Sequence, residues 1–150
     1  MQLTRRNLMI GGGAVAILTA CGPEDPAALT VSAQGVAGMN PGPDGKDRPL
    51  ILQVVQMSGA GAFDGADFFS LQNPQAALGG DFISVQQIVL QPGAAQTVVV
   101  PVSAGASVIG IVAGFRNPEG KIFRVKTPAP SGAAGVIVAV QSSGLSLQPA

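Results

Sequence analysis

The sequence predicts an all-β domain, a two-sheet antiparallel β-sandwich with one short helical insertion. Three observations point there. From Ala28 onward, seven or eight short alternating or apolar segments recur about every ten residues. Gly (21 residues) and Pro (12 residues) punctuate them, as turns between strands require. Only 11% of the chain is charged, too little for the solvated outer faces of a helical bundle.

The first twenty residues read as an address and not as part of that domain. Arg5 and Arg6 form a basic start, and Leu8 to Leu18 is an apolar run, LMIGGGAVAIL. About eleven residues fall short of the roughly 20 that span a bilayer. They have the length of a signal-peptide core. The run ends in Leu18-Thr19-Ala20-Cys21, which is similar to the lipobox of bacterial lipoproteins. That resemblance implies cleavage before Cys21 and a covalent lipid on its thiol, with no other cofactor. Gly22 stands where an Asp would retain an enteric lipoprotein at the inner membrane, so an outer-membrane address is expected. Thr4-Arg5-Arg6-Asn7-Leu8-Met9 also resembles a twin-arginine signal, leaving the export route open between that and ordinary secretion. The expected organisation is a signal at 1–20, a lipidated tether at 21–27 and a sandwich at 28–150.

The elements follow in order. Ala28 to Gly35 alternates Leu29, Val31 and Ala33 with Thr30, Ser32 and Gln34, a half-buried strand. Val36 to Pro49 is a loop with three Pro, three Gly and the turn pairs Asn40-Pro41 and Asp44-Gly45. Leu50 to Met57 is the second strand. Gly59 to Gly80 reads as the helical insert. Asp67 is placed to cap one turn; Asn73 caps a second, with Pro74 in its first position and Gly79 as its stop. Phe82 to Leu90, Gln96 to Val102 and Ser107 to Phe115 are strands, the last apolar enough to lie inside a sheet. Lys121 to Thr127 and Gly135 to Gln141 follow, and the segment through Leu145 and Leu147 suits an edge strand.

Composition bears on chemistry. There is no His, so the usual proton shuttle and commonest metal ligand are missing. Cys21 is the only Cys, which leaves no intrachain disulfide or thiolate cluster. Once Arg5 and Arg6 leave with the signal, the chain is weakly acidic, with no electrostatic reason to bind nucleic acid. Asp64 and Asp67 suit helix starts better than paired catalytic acids. Lys46, Lys121 and Lys126 lie in or beside turns, where solvated charge is the plain reading. Phe68 and Phe69 cannot both point inward from one short turn, so one is a candidate contact residue. No catalytic residue and no small-molecule substrate is expected. The Val36–Pro49 loop, long for a small domain and stiffened by Pro, is the expected recognition surface.

The order of segments resembles the TssJ (SciN, VasD) family of outer-membrane lipoproteins of type VI secretion systems. Behind the lipobox come Leu29-Thr30-Val31-Ser32-Ala33 and the Asn40-Pro41 loop with Asp44-Gly45 and Arg48-Pro49. Then come Leu50 to Met57, similar to the family's "vvvrvyqL", and the block Phe63 to Leu71. Leu90-x-Pro92-Gly93 and Ile109 to Arg116 match the family's "l.PGe" and "lGvvAgfrd". Val55 stands where the family's usual Tyr falls, and Phe123-Arg124 where Trp-Arg is frequent. The resemblance implies a transthyretin-like sandwich without enzymatic activity. It also implies a seat on the periplasmic face of the outer membrane, held by acyl chains, and a partner in the periplasmic C-terminal part of TssM, with TssL reached indirectly. The loop between the first two strands is implied as the TssM contact, which here puts Asn40, Pro41, Asp44, Gly45 and Arg48 forward. The alternative is a lipoprotein binding module or a pilotin-like factor for another envelope assembly.

Overall fold

The computed structural model describes residues 26–150, so the signal and Cys21 lie outside the described residues. Among the described residues eight strands occur in chain order: β1 (Ala28–Gly35), β2 (Leu50–Met57), β3 (Phe82–Leu90), β4 (Ala95–Pro101), β5 (Val108–Ala113), β6 (Arg124–Pro128), β7 (Ala133–Gln141) and β8 (Gly144–Pro149). They form two four-stranded sheets, β4-β1-β7-β8 and β3-β2-β5-β6. The sandwich expected from the sequence is present, and the apolar strand β5 lies inside its sheet.

One pairing departs from the antiparallel expectation: β1 and β7 run parallel, with Val31 opposite Val136. The chain reaches β7 from β6 in the other sheet, so a crossing connection separates the two strands, as parallel neighbours require. Lys121–Phe123 is not part of β6 as the alternation predicts. Ile122 is drawn to the facing sheet, donating to Ser143 O at 3.2 Å and accepting from Leu145 N at 2.8 Å. Gly144 permits this approach, because a Cβ there would stand 2.4 Å from Ile122 backbone atoms.

Two cores result. The inward faces of both sheets bury Leu29, Val31, Leu52, Ile88, Ile111 and Val138 between them. The outer face of the β2 sheet is covered in part. Three short helices, α1 (Gly61–Gly65), α2 (Phe68–Leu71) and α3 (Pro74–Leu78), lie over it and bury Phe63, Leu71 and Leu78 against Val55, Met57 and Val112. This explains why β2 is apolar on both sides, since it is the middle of three layers. Gly110 makes room for Phe63; a Cβ there would stand 2.6 Å from Phe63 Cζ and Met57 Cε.

The insert is expected as two turns and holds three short helices, followed by a 3-10 turn at Gly79–Asp81. Asp67 caps α2 as predicted, accepting from Ser70 N at 2.7 Å. Asn73 occupies the cap position of α3, but its side chain makes no capping bond. Arg124 ties α1 to β6 by donating to Phe63 O at 2.9 Å and to Ala66 O.

The strands give the domain two poles. β1 starts at the pole where the tether enters and ends about 25 Å away at the other, given roughly 3.3 Å per residue. The Val36–Pro49 loop therefore projects from the pole opposite the tether. The turn Gln91–Ala94, the segment Gly114–Phe123 and the turn Ser142–Ser143 share that far pole.

Candidate functional site

The far-pole loop is folded on its own hydrogen bonds. Asp47 aims its carboxylate inward, accepting from Gly38 N and, at 2.9 Å, from Asn40 N. Gly42 N donates to Lys46 O at 2.7 Å, and Gly45 N to Gly42 O at 3.0 Å. Gly45 has φ 76°, a conformation that favours glycine at this turn. Met39 is fully buried beneath the loop. These bonds make the fourteen-residue connection a shaped surface.

Asn40 is its keystone. The residue is 2% exposed. Its Nδ2 donates to Pro49 O at 3.1 Å, and its Oδ1 accepts from Arg116 N at 2.9 Å. Its own carbonyl accepts from Arg48 N at 2.9 Å. The Asn40 amide is bonded inside the fold. Its role is to hold the loop against the Gly114–Phe123 segment. Pro41, Asp44, Gly45 and Arg48 are exposed and available.

Asp44 and Arg48 form an ion pair at 3.0 Å, each side chain 45% exposed. The Lys46 N–H, and then the Arg48 charge, hold the Asp44 carboxyl below its ordinary value of 3.8. Arg116 was not singled out by the sequence reading and belongs beside them. It is exposed and lines two clefts, one on each side of the loop. The cleft of about 410 Å³ is bounded by Asn40, Arg48, Ile51, Gln53 and Gln72. The other, of about 370 Å³, is bounded by Pro41, Pro43, Asn117 and Lys121. The signal in the sequence was weak: Arg116 follows an apolar strand by more than sixty positions from the loop, and only the Asn40 bond brings them together.

A second exposed feature lies on the helical layer. Phe69 is 79% exposed and packs edge-on to Phe68 at 5.3 Å, which packs edge-on to Phe123 at 5.4 Å. One of the two adjacent phenylalanines does point outward, as expected. Among the described residues no group of three or more His, Cys, Asp or Glu is arranged to hold a metal ion. No helix among them is long and apolar enough to cross a membrane.

A family model described as "Type VI secretion lipoprotein, VasD, EvfM, TssJ, VC_A0113" matches residues 27–143. Among solved structures, the T6SS lipoprotein TssJ1 from Pseudomonas aeruginosa superposes with TM-score 0.74 at 23% identity, covering 83% of this chain and 97% of that one. Serratia marcescens Lip, described as a membrane bound component of the Type VI Secretion System, gives 0.70 at 23%, covering 82% and 98%. A chain in a structure described as "T6SS protein TssM C-terminal domain (869-1107) from EAEC" gives 0.64 at 25%, covering 83% and 99%. No curated protein matches the chain.

Proposed function

Since the chain belongs to the type VI secretion lipoprotein family, whose members are structural and not enzymes, we propose that it is the outer-membrane anchor of that system's trans-envelope complex. In this reading Cys21 carries the lipid, the domain faces the periplasm, and the far-pole loop binds the periplasmic C-terminal region of TssM. TssL is reached only through TssM.

The observation that carries the reading is the polarity of the domain. The segment that leads into β1 from the Cys21 side enters at one pole, and the hydrogen-bonded, exposed Val36–Pro49 loop stands at the other, about 25 Å away. A tie between a membrane and a periplasmic partner needs that arrangement. Its contact surface is prepaid in conformational entropy, because the loop is already bonded to itself and to Arg116. The EAEC match adds support. The matched chain is covered almost end to end by four-fifths of this chain, so it is much shorter than a fragment spanning 869–1107. That supports taking it as a companion of the TssM fragment in that structure.

Two experiments test the two halves. Cys21→Ser should leave the protein unprocessed, absent from outer-membrane fractions and unable to support secretion; normal secretion by that variant would remove the anchoring role. The mature domain should capture the purified periplasmic region of TssM from the same organism, and a folded domain that captures nothing would favour the binding-module alternative.

A further inference from the structure

The two poles differ in charge. At the far pole the loops carry Asp44, Lys46, Asp47 and Arg48 on one side and Arg116, Glu119 and Lys121 on the other. At the tether pole the loops Val102–Ser107 and Ala129–Gly132 read VSAGAS and APSG, without a single charged residue. Strands β1, β4, β7 and β8, which rise from that pole, contain none either. The two loops and the tether exit are bonded into one surface. Ala28 N donates to Gly132 O at 3.2 Å, Val102 N to Ala27 O at 2.9 Å, and Ala129 N to Ser107 O at 3.0 Å. Among the described residues, the charged groups on this half of the domain belong to the helical side: Asp81, which accepts from Ser58 Oγ at 3.4 Å, and Lys126, paired with Asp64 at 2.5 Å; in the sequence the tether itself carries Glu24 and Asp25.

We propose that this uncharged pole, Val102–Ser107 with Ala129–Gly132, rests on the phospholipid headgroups of the membrane that holds Cys21. The proposal rests on the lipidation of Cys21 argued above. Six residues, Gly22 to Ala27, separate Cys21 from Ala28, and the connection reaches at most about 25 Å when fully extended. The pole is therefore held beside the bilayer at high effective concentration. A surface of small uncharged Ser, Ala, Gly and Pro residues loses much less hydration on close approach to a bilayer than a surface of ionised side chains does. The far-pole loops, with their seven charged side chains, stand a strand's length, about 25 Å, further from the anchor, which keeps Arg48 and Arg116 turned toward the periplasm.

The test uses the full processed lipoprotein in vesicles whose lipids carry a headgroup nitroxide. Lipidation occupies the only native thiol, so a cysteine introduced at Ala104→Cys or Ser131→Cys is the sole site for a thiol-reactive fluorophore. Ser142→Cys reports the far pole and Thr97→Cys the exposed face of β4. Severalfold stronger quenching at 104 and 131 than at 142 and 97 is expected. Equal, weak quenching at all four positions overturns the proposal, as does quenching strongest at 97, which would lay the sheet face on the membrane instead. Flotation with the vesicles separates the two levels: a chain that does not float fails the anchoring reading itself, whereas one that floats without quenching at the pole fails only this proposal.

Discussion

Replacing Asn40 with alanine removes two side-chain hydrogen bonds that join three segments, to Pro49 O and from Arg116 N. The residue is almost fully buried, so the Arg116 N–H loses its acceptor in a place where replacement is restricted. Two ordinary bonds contribute about 1 kcal/mol each net, and an orphaned buried donor costs about 1–3 kcal/mol. The 410 Å³ cleft beside Asn40 lets water reach the gap, which offsets the orphaning cost and leaves the loss of the two bonds, about 2 kcal/mol. For a domain of this size that corresponds to a fall in the unfolding midpoint of roughly 8 °C. Thermal unfolding of the mature domain followed by far-UV circular dichroism reads this directly. Asp44→Ala serves as the control: at neutral pH it removes an exposed ion pair with Arg48 and an exposed bond from Lys46 N in the same loop, and should lower the midpoint much less than Asn40→Ala does. If Asn40→Ala unfolds at the wild-type midpoint, or if Asp44→Ala costs as much, the keystone argument is refuted.

Other outcomes follow from the same structure. Gly110→Ala should destabilise by about 1–3 kcal/mol through overpacking, because its Cβ would meet Phe63 and Met57 at 2.6 Å; denaturant midpoints measure it, and a neutral result would contradict the seat described for Phe63. Phe63→Ala should cost about 3–5 kcal/mol and loosen the helical layer, seen as new protease cleavage between Gly59 and Gly80 while the sandwich stays intact. Asp44 and Asp67 both have lowered carboxyl pKa values, caused first by the Lys46 N–H and the Ser70 N–H respectively. A depressed carboxylate stabilises the fold above its unfolded value and ceases to do so as pH falls through the folded one. The unfolding midpoint should therefore be flat above the ordinary value of 3.8 and decline below it, and the Asp44→Ala/Asp67→Ala variant should show a shallower decline. A midpoint that falls already near neutral pH would point to groups other than these.

Much of this architecture was legible in the sequence, for local reasons. The bounds of β1, β2 and β3 follow from alternation or apolar runs stopped by Gly and Pro, which act within a few residues. The Asp67 cap was legible because its acceptor and donor are three positions apart. What escaped depends on distant parts of the chain. The parallel partner of β1 is β7, about a hundred residues away, and no local pattern encodes that choice. The helix α1, GAFDG, has a glycine at each end and weak helical preference; it forms because Phe63 finds the gap left by Gly110. In the site, the long Pro-bearing loop could be located by composition. Asn40 beside Pro41 reads as an exposed turn residue, yet the fold turns it inward to meet an N–H that belongs to another loop. For the same reason Arg116 joined the site only once the chain was folded.

The most direct test is the affinity of the mature domain for the periplasmic region of TssM, measured beside an Asp44→Ala/Arg48→Ala variant that keeps Asn40 and hence the loop's frame. The account predicts binding by the wild type and a large loss in the variant at a nearly unchanged unfolding midpoint. Undiminished binding by the variant would move the contact away from the loop, toward the exposed Phe69 on the helical layer, and absence of binding by the folded wild type would contradict the anchor role.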